Sequence, residues 1–163
     1  MHADWIELFE LFEKHNVRYL VIGRIAINFY GHERLTKDLE VWISPDKENA
    51  ANAFAAAKEF GVLPSHVVQE DFEGSTNFIF MGAEPFRVDL IMRRPGIDFE
   101  TAYADRVLDD RETVKVSYIS FNHLITLKKA ADRFTDQRHL QKLEIAKKST
   151  TNNNVSFSRQ NFL

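Results

Sequence analysis

Cysteine is absent from the 163-residue chain, which excludes disulfides and thiolate-bound metal outright. No stretch reaches the roughly 20 apolar residues that a bilayer-spanning helix needs, so no membrane association is expected. Residues 1–13 mix Asp4, Glu7 and Glu10 with apolar positions. They lack the basic start and apolar run of a secretory leader, and a cytoplasmic location is the expectation that follows. The histidines, at positions 2, 15, 32, 66, 123 and 139, form no H-E-x-x-H motif and no paired ligand spacing, which argues against zinc. A G-x-x-x-x-G-K-[ST] phosphate loop is missing. Ser65-His66 and Ser120–His123 fit no hydrolase elbow and read as turn or cap residues. There is no internal repeat. An excess of one charge is lacking as well, since 21 Lys and Arg against 24 Asp and Glu leave a net charge of -3. Bulk charge therefore gives no reason to expect nucleic acid or an anionic membrane, although a basic groove can sit inside such an average.

What is present suits one globular domain with a real apolar core: 44% hydrophobic and 28% charged residues over this length. Fourteen phenylalanines suggest a core plugged by aromatic rings. Trp5, Leu8, Phe9 and Phe12 recur at helical spacing, predicting an amphipathic helix over 3–14 with Asn16 as its stop. Residues 18–23 read as a buried strand ending in Gly23, and 25–31 as a short helix. A second strand is predicted at 39–43, closed by Ser44-Pro45. The alanine-rich segment 47–60, followed by Gly61, predicts a helix with a glycine cap. Residues 77–81 and 86–92 read as a hairpin, 98–106 as a short helix and 113–119 as a strand. Ser120 caps a helix predicted at 121–133, and another follows at 135–148. The expected organisation is a single domain over 1–148 and a polar, Ser/Thr/Asn-rich tail over 149–163, for which a mobile terminus is favoured over a docked one. In class the chain is α/β, with a short mixed sheet flanked by helices and helices at the C-terminus.

The unusual feature is acid within strands. Asp38 and Glu40 stand two apart, so their side chains leave the same face of the strand. Asp89 lies mid-strand in Val88-Asp-Leu-Ile-Met92, where aspartate is a poor strand former and costly to bury. Three carboxylates on one face repel one another unless a cation lies between them. Mg²⁺ suits such oxygen donors and commonly shares them with phosphate oxygens. The plainer alternative is that Arg87, Arg34 and Lys37 neutralise the acids as ordinary ion pairs. Val21-Ile-Gly-Arg-Ile25 adds a strand that ends in glycine and feeds a helix, a junction where backbone N–H groups can face phosphate. The basic stretch Lys128, Lys129, Arg133 and Arg138 is either a solvated helix face or one wall of a groove for nucleotide or RNA.

Ile22-Gly23, a spacer, then Asp38-Leu-Glu-Val41 resembles the signature of the nucleotidyltransferase superfamily, with Asp89 in Phe86-Arg-Val-Asp-Leu90 matching the third acid. Within it, Val17–Gly23, Arg34–Glu40 and Leu124–Lys128 are similar to the small bacterial group that includes the AbiEii-type toxins. The resemblance spans about residues 5–148 and implies the nucleotidyltransferase fold. It implies Mg²⁺, with Mn²⁺ as a substitute, held by Asp38, Glu40 and Asp89, and a nucleoside triphosphate such as ATP as substrate. Asp89 would also help deprotonate an acceptor hydroxyl. Gly23 would hold the β- and γ-phosphates, assisted by Arg34, Thr36 and Lys37, with Lys128 a candidate from the later helix. Thr36 equally fits the start of a turn, and Lys128 a solvated lysine.

The implied activity moves a nucleoside monophosphate to a hydroxyl of RNA, protein or a small molecule, in the setting of a toxin–antitoxin system, and a partner protein could complete the site. Two positions depart from the pattern. Arg24 replaces the usual Gly or Ser, either obstructing the phosphate or gripping it with a bidentate guanidinium. Glu40 replaces the commoner Asp, and its extra methylene moves the carboxylate outward. The alternative function is a catalytically degenerate domain that works as a binding or antitoxin-like protein.

Overall fold

The computed structural model describes residues 1–31, 36–82, 87–111 and 113–131. Arg34, the helix expected at 135–148 and the tail over 149–163 lie outside the described residues.

The first helix, α1 (Ala3–Lys14), buries Trp5, Leu8, Phe9 and Phe12, the stripe that the helical spacing predicts. It ends at His15, and Asn16 reverses the chain with φ 54°, a conformation asparagine tolerates better than most residues. The chain then forms β1 (Tyr19–Val21), α2 (Gly23–Phe29) and β2 (Asp38–Ile43). Helix α3 (Lys47–Phe60) starts at Asp46, whose side chain accepts from the backbone N–H of Asn49, and stops at Gly61 with φ 87°. After a wide turn over Asp71–Ser75 come the hairpin strands β3 (Phe78–Met81) and β4 (Arg87–Ile91), then α4 (Phe99–Ala104). Strands β5 (Val107–Asp109) and β6 (Val116–Tyr118) precede α5, which runs over Phe121–Ala131.

Six strands form one mixed sheet in the order β3-β4-β2-β1-β6-β5. Its centre is parallel where β2 meets β4 and where β1 meets β6, and β1 runs antiparallel to β2. Both outer pairs, β3 with β4 and β5 with β6, are antiparallel. Strand β5 was not expected. The turn Asp71–Ser75, bent at Gly74 with φ 87°, was not expected either.

The two faces of the sheet differ. Leu39, Val41 and Ile43 share one face with Val21, Val88 and Leu90, and all are buried. Helix α1 packs there, stacking Phe9 on Tyr19 at 5.2 Å between ring centroids. The small side chains Ala50, Ala53, Ala56 and Ala57 of α3 are fully buried and let α1 and α3 pack closely. On the opposite face Trp42 is buried edge-on against Phe99 of α4. Further along β2 the same face carries Glu40 and then Asp38, both half-buried. One face therefore changes along its strands from an apolar, helix-covered end to an open, charged end. Among the described residues no helix is long and apolar enough to cross a membrane.

Candidate active site

Register assembles the site. Parallel pairing sets Asp38 opposite Arg87 and Glu40 opposite Asp89, while Leu39 and Val88 between them point to the core. Strand partners share a face, so three acids separated by up to 51 positions in sequence come to one floor. That floor lies in an open groove of about 770 Å³. Its walls carry Arg24, Arg87, Arg93 and Arg94, together with Thr36, Asn77, Phe78 and Phe80.

Each carboxylate has a guanidinium partner. Arg87 donates to both oxygens of Asp89, Nε to Oδ1 at 2.7 Å and Nη2 to Oδ2 at 3.1 Å. The same Nη2 lies 4.0 Å from Asp38. Arg94 donates to Glu40 through Nη2 at 2.9 Å, while its Nε is buried with no hydrogen-bond partner among the described residues. The repulsion expected among the three acids is thus relieved by arginines, along the lines of the plainer alternative. The pairing falls to Arg87 and Arg94; Arg34 lies outside the described residues.

Gly23 takes φ 64°, and a Cβ placed there would lie 2.2 Å from Oε1 of Glu40. The left-handed backbone favours glycine, and a Cβ would also displace the flexible end of Glu40. The longer arm of glutamate is what reaches this spot. Arg24, the next residue, is exposed and lines the groove. Neither Arg24 nor Arg93 has an ion-pair partner among the described residues. Four guanidinium groups against three carboxylates leave the described lining of the groove with a net positive charge, which favours an anionic ligand.

Of the residues expected at the site, Asp38, Glu40, Asp89, Arg24 and Thr36 line the groove, and Gly23 lies beneath Glu40. The Thr36 hydroxyl accepts from the backbone N–H of Asp38 and donates to its carbonyl, both at 3.3 Å, so the residue also builds the turn before β2. Lys37 is exposed, and Lys128 is half-buried on α5; neither lines the groove. Arg93, Arg94, Phe78 and Phe80 were missed. Two adjacent arginines directly after an acid-bearing strand, and two phenylalanines alternating on its hairpin partner, were the available signals.

Among the described residues, no three His, Asp or Glu side chains converge on a point that could hold a metal ion. As a donor set Asp38, Glu40 and Asp89 still suit a hard divalent cation: three carboxylates on one face, two of them directly opposite one another across β2 and β4. A cation among them would take the place that the guanidinium groups of Arg87 and Arg94 fill.

No family model and no curated protein matches the chain. Solved structures do. A lincosamide antibiotic adenylyltransferase, LnuA, with lincomycin bound superposes with a TM-score of 0.59 at 13% identity, over 88% of this chain and 96% of that one. A Thermotoga maritima protein provisionally assigned as a nucleotidyltransferase gives 0.54 at 13% identity, over 91% of each chain. At such identity the likeness concerns the fold, and the fold is the one these nucleotidyltransferases share.

Proposed function

We propose that this chain is a Mg²⁺-dependent nucleotidyltransferase that moves a nucleoside monophosphate from a nucleoside triphosphate to a hydroxyl acceptor. The carrying observation is the parallel register that sets Glu40 opposite Asp89, with Asp38 on the same face, in an arginine-walled groove. Asp38, Glu40 and Asp89 would hold Mg²⁺, which when bound offsets the charge of the triphosphate. Arg24, beside the Gly23 turn, would grip the phosphates, and Arg94 would orient Glu40. The acceptor oxygen forms a bond to the α-phosphorus, the bond to pyrophosphate breaks, and the hydroxyl proton passes to the carboxylate of Asp89.

A second function is favoured by the arginine pairs: a nucleotide-binding domain without catalysis, since each acid already has a guanidinium partner without metal. One experiment separates the two. Protein, Mg²⁺ and each α-labelled triphosphate are incubated with total RNA and with cell extract, beside Asp89→Asn. Transfer is expected with the unaltered protein and should fall by on the order of a thousand-fold in the variant. Full activity in Asp89→Asn refutes the role of Asp89. Absence of transfer to any acceptor, with a triphosphate still raising the melting temperature, establishes the binding domain instead.

A further inference from the structure

Strand β3 leaves two large rings uncovered. Its alternation buries Ile79 and Met81, at 4% and 0% exposure, while Phe78 and Phe80 stay 51% and 47% exposed. Their rings lie side by side, 4.8 Å between centroids. Both line the groove, and β3 is an edge strand. Leaving two phenylalanines half in water forgoes part of their hydrophobic burial, which marks the pair as a contact surface.

What the surface would meet is constrained by its neighbours. The guanidinium carbon of Arg87 lies 5.0 Å from the centre of the Phe80 ring, so cation and ring form one composite face. Arg24 and Arg93 line the same groove without carboxylate partners among the described residues. An occupant must therefore combine a flat π-surface with negative charge. An unpaired nucleobase on its phosphate does both, and stacking on aromatic rings beside arginines is how single strands are held without regard to sequence.

We infer that Phe78 and Phe80 are a stacking platform for the unpaired bases of a single-stranded nucleic acid, whose phosphates are met by Arg93. Two neighbouring rings serve successive bases better than one mononucleotide. Phe80 is paired with Asp89, and the platform is separated by β4 and β2 from β1 and the Gly23 turn. It flanks the Asp89 side of the acids, the side of the acceptor. Only this placement rests on the transferase proposal; binding itself does not.

The test uses the full chain without Mg²⁺ or triphosphate. A short labelled RNA strand, the same sequence as single-stranded DNA, and the duplex are titrated by fluorescence anisotropy. Both single strands should bind and the duplex should bind more weakly. Phe78→Ala with Phe80→Ala should weaken single-strand binding by about ten-fold or more, while Phe78→Trp with Phe80→Trp should retain it. Thermal melting of each variant checks that the fold is kept. Absence of single-strand binding, a preference for duplex, or an unchanged affinity in the alanine variant would overturn the inference. So would self-association of the unaltered chain that the alanine variant abolishes, since the rings would then belong to a dimer edge. Binding retained in a protein that transfers no nucleotide would refute only the transferase proposal.

Discussion

At the scale of single residues the site turns on Glu40 and Gly23. The sequence marks Glu40 as a departure and treats its extra length as a hazard to metal geometry. In the fold that length sets the carboxylate against the bare Cα of Gly23, where Arg94 holds it. Gly23→Ala should therefore destabilise the protein twice over. The left-handed backbone alone costs about 1–2 kcal/mol with a Cβ, and Glu40 must swing away. A double-mutant cycle by urea denaturation separates the two parts. The cost of Gly23→Ala is expected to shrink in a Glu40→Ala background; an equal cost in both would show that only the backbone matters. Arg94 could not be assigned from sequence, because nothing in Arg93-Arg94-Pro95 tells which carboxylate a side chain on the following loop will reach.

At the scale of elements, short-range chemistry was the legible part. Helix α1 matches its predicted span because its apolar stripe keeps helical period, and α3 because alanine favours the helix and Gly61 ends it. The cap Asp98 likewise opens α4. Strand β5 escaped notice because three residues are too few to show a period and two of them stay exposed. One junction between elements has no sequence signal at all. The buried Asn49 of α3 accepts from the backbone N–H of Arg18 at 2.6 Å and donates to the carbonyls of Arg18 and Ser44, at 3.1 and 2.8 Å. It ties the start of β1 to the end of β2 and so supports the pairing that sets the Gly23 turn beside Glu40. Asn49→Ala strands these groups away from water and should cost about 1–3 kcal/mol. Chemical denaturation reads this directly; a midpoint unchanged from the parent would mean that water replaces the amide.

At the scale of the whole molecule, several carboxylates make stability depend on acid. The hydrogen bonds of Asp98 with the hydroxyl and backbone N–H of Thr101 hold its pKa below the ordinary carboxylate value. Arg111 does the same for Asp109. Burial pushes Asp46 upward, but bonds from Ser44, the Asn49 backbone and Arg18 outweigh it and leave it lowered. A carboxylate whose folded pKa is depressed binds its proton more tightly when unfolded. Its contribution is therefore complete above the unfolded value of about 3.9 and is lost as pH falls through the folded one. The melting temperature should hold near neutrality and fall progressively as pH drops below about 5. Asp46→Asn should lower it at neutral pH and flatten the acid slope. A slope unaltered in that variant would assign the acid sensitivity elsewhere.

The amino-acid sequence by itself determined the α/β class, the limits of most helices and strands, and the candidacy of Asp38, Glu40 and Asp89. These depend on period, capping and the cost of acid within a strand, all of which act over a few residues. Only the tertiary structure decided that β2 lies parallel to β4, so that Glu40 faces Asp89 and Arg87 pairs with Asp89 beside Asp38. Only it decided which end of that face closes over Trp42 and Phe99 and which end stays open as an arginine-walled groove with two bare phenylalanines at its edge. Strand pairing is chosen by the packing of whole faces against α1, α3 and α4, a competition among distant segments that no local pattern records.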